Sequence, residues 1–417
     1  HVLGNNNVLS VGAVVDIVKH PDIPDRDLYV FDTRTDEPVA VVKGLGTLLY
    51  GLTVDSSGTV YVAQTDARNA ANGLSGTQGH GLAEMENRAF LNRITKVPFE
   101  ADEPQPLEFI ECEPLPPDHP SRERALATPF AIQVSADDAT LVISAASSDK
   151  LFPVDVSSGE ILGRVAVESV PRGIALVSGE DGKPHSAWVL NAVANSVSLV
   201  ALQSLRQPVV IKTAALEDPT PPQMKAGRRV FHDARASSTA TFSCESCHPD
   251  GHTDQLLWVL KTPISTGGHQ IVPRTTMPAR GLRGTAPYHW DGIPGDPYGG
   301  INTASTRKSV APNSDRNKPS SSTRHLVDGA LATTMRAVED RGKNDAGQLG
   351  ELEQKQREDL SAFLLHIPYP PAPRRSYDNV LSPQAVNGFR LFHIDGDHQD
   401  DPDPNVCGDC HRMPYWV

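Results

Sequence analysis

The stretch FAIQVSADDATLVISAAS (residues 130–147), followed almost at once by DKLFPVDVSSGEILGRVAV (149–167), decides how the first half of the chain folds. Apolar and polar residues alternate along it in short runs separated by turn residues, a pattern of strands rather than helices. Both units recur. RDLYVFDTRTDEPVAVVKG begins at Arg26, NRITKVPFEADEPQPLEFI at Asn92 and NSVSLVALQSLRQPVVIKT at Asn195, each a strand, a polar turn and a second strand. YGLTVDSSGTVYVAQT (50–65) and RGIALVSGEDGKPHSAWVLNAV (172–193) repeat the other unit, with Leu52, Ile132 and Ile174 in equivalent places.

Ile132 and Ile174 lie 42 residues apart. Leu52 and Ile132 lie 80 apart, which fits one unit enlarged by about forty residues, beginning DARNAANGLSGTQGHGLAEME (66–86). Four strands per unit at a period of roughly 40–45 residues predicts a β-propeller, because such a sheet must stack on its neighbours to bury both faces. A β-sandwich with chance self-similarity is the competing architecture. The pattern resembles the YVTN-type propeller, although YVAQT and WVLNA only approximate that motif. About four blades are visible, and the chain starts inside one, so further N-terminal residues are expected. The blades present no catalytic constellation, and His20, His80 and His119 read as solvated loop residues. The inserted loop (66–91) is long enough to cover a site elsewhere.

The bulk properties agree. At 417 residues the chain has room for two or three domains. Its 32 Gly and 35 Pro are too many for long helices. A net charge of −13 argues against a nucleic-acid partner, whose phosphates need a basic face. No apolar run is long enough to span a membrane. The opening HVLGNNNVLSVGAVV carries no basic stretch and is not an intact signal peptide.

From about Pro221 the alternation gives way to helical patterns. PPQMKAGRRVFHD reads as a short amphipathic helix, with Met224, Val230 and Phe231 on its apolar side. QLGELEQKQREDLSAFLLHI (348–367) is the clearest helix, stopped by PYPPAP. SPQAVNGFRLFHI repeats the first, with Ser382 as N-cap and Pro383 at the first helical position. A cysteine signature follows the first and third of these helices: FSCESCHPDGH (242–252) and VCGDCHRMP (406–414). These account for Cys244, Cys247, Cys407 and Cys410, leaving Cys112 as a buried or partly buried thiol.

A structural zinc site needs two close cysteine pairs, or one pair with a spaced histidine pair, whereas these pairs stand 163 residues apart. A thioredoxin-like disulfide belongs in a βαβ context that is absent, and needs no histidine after the second cysteine. Covalent haem attachment uses every residue of both signatures. Each cysteine adds its sulfur to a haem vinyl group, and the next residue, His248 or His411, supplies the proximal imidazole.

A resemblance extends this reading. AGRRVFHDARASSTATFSCESCHPDGHTDQ (226–255) and GGHQIVPRTTMPARGLRGTAPYHWDG (267–292) are similar to the first haem domain of bacterial di-haem cytochrome c peroxidases, a group that includes the MauG-type enzymes. LSPQAVNGFRLF and CGDCH look like the lead-in to that family's second haem domain, so the resemblance covers roughly residues 220–411. It implies that His269, 21 residues after His248, is the distal histidine of the peroxidatic haem. It also implies that Trp290 lies between the haems and carries electrons. His252, His289 and Met277 are rival distal ligands, while His325, Met335, His393 and His398 read as surface or packing residues. Two departures stand out. The family's acid–base Glu has no counterpart, because no Glu occurs between Glu245 and Glu339. Only six residues follow His411, and Met413 is too close to it to reach the opposite haem face. The run DGDHQDDPDPN (395–405) offers oxygen donors for a calcium ion such as the family often holds, although acidic loops of this kind are commonly only solvated.

The sequence therefore predicts a multidomain protein: an all-β propeller over 1–215, then mainly α c-type cytochrome domains over 220–372 and from 378 to a truncated end at 417. The expected function is a di-haem c-type cytochrome oxidoreductase, peroxidase-like, passing electrons between two covalent haem c groups. The alternative is a non-catalytic electron-transfer cytochrome whose propeller binds a partner. Expected partners are a small cytochrome or cupredoxin and a propeller-bound protein, in a periplasmic or extracellular location, since haem attachment of this kind happens outside the cytoplasm.

Overall fold

The structure, a computed structural model, describes residues 26–75, 82, 85–100, 103–263, 269–285, 288, 319–337, 340–369, 378, 380–396 and 406–409. Its first half is a succession of antiparallel sheets. β1 (Leu28–Phe31) and β2 (Pro38–Val42) form a two-stranded sheet. β3 (Leu48–Val54), β4 (Val60–Ala67), β5 (Phe90–Val97) and β8 (Glu108–Glu111) form the next, with the small hairpin β6 (Phe99–Glu100) and β7 (Glu103–Pro104) between the last two. β9 (Pro129–Val134), β10 (Thr140–Ala145), β11 (Lys150–Asp155) and β12 (Val165–Ala166) make a third sheet. β13 (Pro171–Ser178), β14 (Pro184–Asn191), β15 (Ser196–Ala201) and β16 (Val209–Ala215) make a fourth. These are propeller blades, and Leu52, Ile132 and Ile174 sit on the first strands β3, β9 and β13, as the repeat predicts.

The alternation explains the stacking. On β4, Val60 and Val62 face one core with Val42, Leu45 and Val97, while Tyr61 and Ala63 face another with Ile132, Leu141 and Phe152. On β10, Leu141 and Ile143 join that second core, and Val142 turns to a third with Val189 and Val200. The two inner blades therefore bury both faces against their neighbours. Asp-led turns tie the strand ends. Asp55 Oδ1 accepts from the backbone N–H of Ser57 and Thr59 at 3.0 and 2.9 Å, and Asp155 Oδ1 from Ser158 at 2.8 Å. The first strands approach closely at Gly51, where an added Cβ would lie 2.4 Å from the Phe130 carbonyl oxygen. At the two ends of the array, apolar side chains face outward: Tyr29, Phe31 and Val41 at one, Trp188, Leu190 and Ile211 at the other. Cys112 is buried between blades, and burial pushes its thiol well up.

The enlargement expected between Leu52 and Ile132 is spread over three connections rather than carried by one loop. It occupies residues 68–89 between β4 and β5, the β6–β7 hairpin, and 112–128 after β8. The first of these, with helix α1 (Asn69–Ser75), leaves the blades and joins the second half of the chain. Leu82, Met85 and Phe90 share a core with Phe231, Phe242 and Trp258. Asparagines secure the join. Asn72 donates to the Val259 carbonyl at 3.1 Å, Asn87 to Thr334 at 3.0 Å, and Asn92 to Thr241 at 2.9 Å.

The second half contains helices α2 (Pro222–His232), α3 (Cys244–Cys247), α4 (Pro319–Ala332), α5 (Gln354–Leu364) and α6 (Pro383–Arg390). It also holds a hairpin of β17 (Leu257–Pro263) and β18 (His269–Thr275). α2 crosses α5 tightly at Gly227, whose added Cβ would meet the Asp359 carbonyl oxygen at 2.1 Å. The helix expected over 348–367 is shorter. Left-handed backbone at Gly350 (φ 86°) and Leu352 (φ 68°) forces a turn, and the helix begins after Glu353. α6 starts as predicted, with Ser382 Oγ accepting from the Ala385 N–H at 3.2 Å. No helix among the described residues is long and apolar enough to cross a membrane.

Candidate functional site

The first cysteine signature is one helical turn. Ser243 and Ser246 form a capping box, in which the Ser243 N–H donates to Ser246 Oγ at 3.0 Å. The turn is closed by His248, whose N–H donates to the Cys244 carbonyl at 2.9 Å. A spacing of three residues sets Cys244 and Cys247 on the same side of the turn, and both are free thiols packed against the core of Phe90, Phe242 and Trp258. Burial pushes the Cys244 thiol up to about 12 and Cys247 well above its usual range. The shift runs opposite to that of a redox cysteine, whose electropositive setting favours thiolate.

The same burial holds His248 below its usual range, and its Nδ1 is buried without a hydrogen-bond partner. Two unpaired thiols and a half-buried imidazole with one unsatisfied nitrogen on one turn, against an aromatic and aliphatic core, fit a covalently held haem. Zinc would require further ligands, and among the described residues no group of three or more His, Cys, Asp or Glu is arranged so that it could hold a metal ion. After the signature the chain is held by Asp254, whose N–H donates to the Cys247 carbonyl at 2.9 Å and whose carboxylate accepts from Trp258 Nε1 at 3.0 Å.

Of the other predicted residues, His269 opens β18, paired with Pro263 across the hairpin, rather than lying in a loop. His252 and Met277 are exposed, Met335 is a core residue, and His119 is exposed as expected. Cys407 is an exposed free thiol in the short turn Cys407–Asp409. Trp290, His289, Cys410, His411, His398, His20, His80 and the acidic run after Gly396 lie outside the described residues.

Sequence reading missed the charges beneath the turn. Glu245, between the two cysteines, is buried at 3% exposure. Its Oε1 accepts from Arg172 on β13 at 2.6 Å, and its Oε2 lies 3.4 Å from His232 Nε2 on α2. Arg172 also reaches Asp250 at 3.0 Å. A signal for this was present. The register that equates Leu52, Ile132 and Ile174 also equates Tyr50, Phe130 and Arg172, so a cation stands where two blades carry aromatics.

Burial pushes Glu245 up to about 7 against the pull of Arg172, and pushes His232 down to about 4. The folded haem-free chain thus keeps a proton on Glu245 that the unfolded chain loses near 4.5, and this contribution to stability fades as pH rises toward 7. His232 works in the opposite sense: its buried neutral ring costs stability as pH falls from 6.5 toward 4. Glu245→Gln removes only the first effect. Urea unfolding of the variant should therefore show stability rising between pH 5 and 7 relative to the wild type, by up to about 3 kcal/mol. Parallel curves for the two proteins would contradict the assignment.

Comparison with known proteins bears on the segment that carries this turn. Residues 221–341 match the family model of di-haem cytochrome c peroxidase. The matched segment contains the Cys244–His248 turn, His269 and Trp290, while the second signature lies beyond it. No curated protein matches the chain. Solved structures with similarity include hydrazine synthase of Kuenenia stuttgartiensis, 14% identical over 44% of this chain and 54% of that one, with a TM-score of 0.34. Another is the periplasmic gluconolactonase of Pseudomonas aeruginosa, 14% identical over 46% of this chain and 50% of that one, with a TM-score of 0.32. The chain spans about half the length of these structures.

Proposed function

We propose that the protein is an extracytoplasmic di-haem c-type oxidoreductase of the peroxidase type, with its haem domains over 220–372 and from 378 onward fused to a propeller over 1–215. One observation carries the reading: a half-buried Cys244–Cys247–His248 turn, with both thiols free and one imidazole nitrogen buried and unsatisfied, inside a segment that matches the di-haem peroxidase family model. Cys244 and Cys247 would hold the first haem with His248 as its axial ligand. Cys407, Cys410 and His411 would hold the second. When bound, haem supplies one-electron redox chemistry and, at an open iron, the reduction of hydrogen peroxide, which takes two electrons and two protons to two waters.

The chain's own residues set the conditions. Phe90, Phe242 and Trp258 exclude water from the attachment turn, and Asp254 fixes its exit. Glu245 Oε2 and His232 Nε2 lie 3.4 Å apart beneath it. His269 is the candidate on the distal side, and Trp290 the candidate for carrying electrons between haems. An acidic surface suits a small basic cytochrome or a cupredoxin as donor, and the propeller offers a further protein-binding face.

A second reading, an electron relay without substrate chemistry, is favoured by one observation: no Glu is available between Glu245 and Glu339 to move protons at peroxide. The test is to mix the haem-loaded protein with a reduced small c-type cytochrome and add hydrogen peroxide. Peroxidase action is expected to oxidise two equivalents of the cytochrome per peroxide, at a rate proportional to the protein. Electron exchange with the cytochrome that peroxide does not accelerate would reject peroxidase action in favour of the relay.

A further inference from the structure

Three equivalent residues of three consecutive blades meet under the attachment turn. Tyr50 stacks on Phe130 with ring centroids 4.9 Å apart, and the Arg172 guanidinium carbon lies 4.8 Å from the Phe130 centroid. From this platform Arg172 points out of the blades and into the haem-attachment turn. One terminal nitrogen donates to Glu245 at 2.6 Å and the other to Asp250 at 3.0 Å, while Nε is buried without a partner. The fork thus spans both ends of the signature, because Glu245 lies between the cysteines and Asp250 two residues past His248. Asp250 adopts a left-handed backbone (φ 50°), and its N–H donates to Glu245 Oε2 at 3.1 Å, so the Glu245 carboxylate is tied to the Asp250 backbone as well as to the cation.

We propose that Arg172, a propeller residue, is a positioning residue of the first haem site, fixing the Cys244–His248 turn through Glu245 and Asp250 so that the seating and midpoint potential of that haem depend on the blades. The proposal rests on haem being bound at Cys244, Cys247 and His248. Its physical basis is the pairing by one planar cation of a buried carboxylate, Glu245, with an exposed one, Asp250; for the buried partner, losing the cation is costly and its field is poorly screened. A guanidinium serves both carboxylates at once with fixed geometry, whereas an ammonium is a single point charge. The other charged or titratable groups around Glu245 are His232 and Arg228 on α2, Tyr50 on β3, and Arg280, which donates to the Asp250 carbonyl at 2.8 Å. None of them bridges the two carboxylates. Net charge beside the iron and the hydrogen bonds that hold its attachment turn are among the levers that set a haem potential.

The experiment uses the full haem-loaded chain and its Arg172→Gln, Arg172→Lys and Glu245→Gln variants. The midpoint potential of the first haem is followed optically at mildly alkaline pH, together with thermal unfolding. Arg172→Gln is expected to lower the potential by removing a positive charge from beneath the attachment turn and releasing its tie to Glu245, and Arg172→Lys to restore it only in part. Glu245→Gln keeps a neutral acceptor for Arg172 and is expected to raise the potential. A variant set that melts at lower temperature but keeps the wild-type potential would overturn the proposal, because it would reduce Arg172 to a structural contact. Should Arg172→Gln fail to take up haem, an unmoved potential in Glu245→Gln overturns the proposal by itself. Absence of haem from the wild-type peptide 242–252, read by mass, would instead refute the function proposed above.

Discussion

Replacing Cys244 and Cys247 together by alanine is expected to halve the covalent haem content, from two groups per chain to one, while the blades remain folded. Both sulfurs lie on the same side of a single turn and point into one core, so they form one attachment unit. The second pair stands 163 residues further on and has its own histidine, so its loading should be independent. Replacing Cys407 and Cys410 should remove the other half. A pyridine haemochrome assay against protein concentration measures both results. Unchanged haem in the first double variant would dispose of the attachment reading, whatever the protein's activity. Exchange of His248 alone should leave the covalent bonds in place and alter the axial ligand, visible as a changed spectrum at constant haem content.

The largest loss of stability is expected from Phe90→Ala. Phe90 is fully buried on β5, edge-on to Trp258 at 5.4 Å and 6.3 Å from Phe242. Its removal opens a cavity in a core to which the blades, the 68–89 segment and the attachment turn all contribute. A cost of about 3–5 kcal/mol is usual for such a deletion. Because the cavity would border the cysteines, haem loading should fall as well. Phe109→Ala is the control: it sits on neighbouring β8 but is 42% exposed, and it should change the melting temperature little.

The blades were legible because their signal is local. A two-residue period, Asp-led turns and a fixed spacing place β3, β9 and β13 correctly from composition along a few residues at a time. The cysteine signature was legible for the same reason, being complete within five positions. What escaped the sequence depends on partners far along the chain. The hairpin of β17 and β18 alternates as other strands do, in LWVLKTP and HQIVPRT, but lies within a helical stretch and has no repeat to announce it. α4 begins PSSSTRH, with little apolar periodicity, and is held by α5 rather than by propensity. The start of α5 was overextended because polar helix formers fill 348–353, whereas the positive φ at Leu352 is imposed by the surrounding turn. Glu245 carries no local sign of burial, because its partner Arg172 stands 73 residues away on β13.

The contribution of residues 68–89 to the core of the second half also bears on how such a chain can evolve. The obvious seam is the short link between β16, which ends at Ala215, and α2, which begins at Pro222. A recombination at that seam would exchange one blade array for another but would take Leu82, Met85 and Phe90 with the discarded half. Phe242, Trp258 and the cysteines would then face water, and Glu245 would keep its burial cost without Arg172. An exchange at that seam would therefore have to preserve both the shared core and the Arg172–Glu245 contact. A donor array would be accepted only if it already carried an extension of similar length between the second and third strands of the equivalent blade, together with a cation at the position of Arg172.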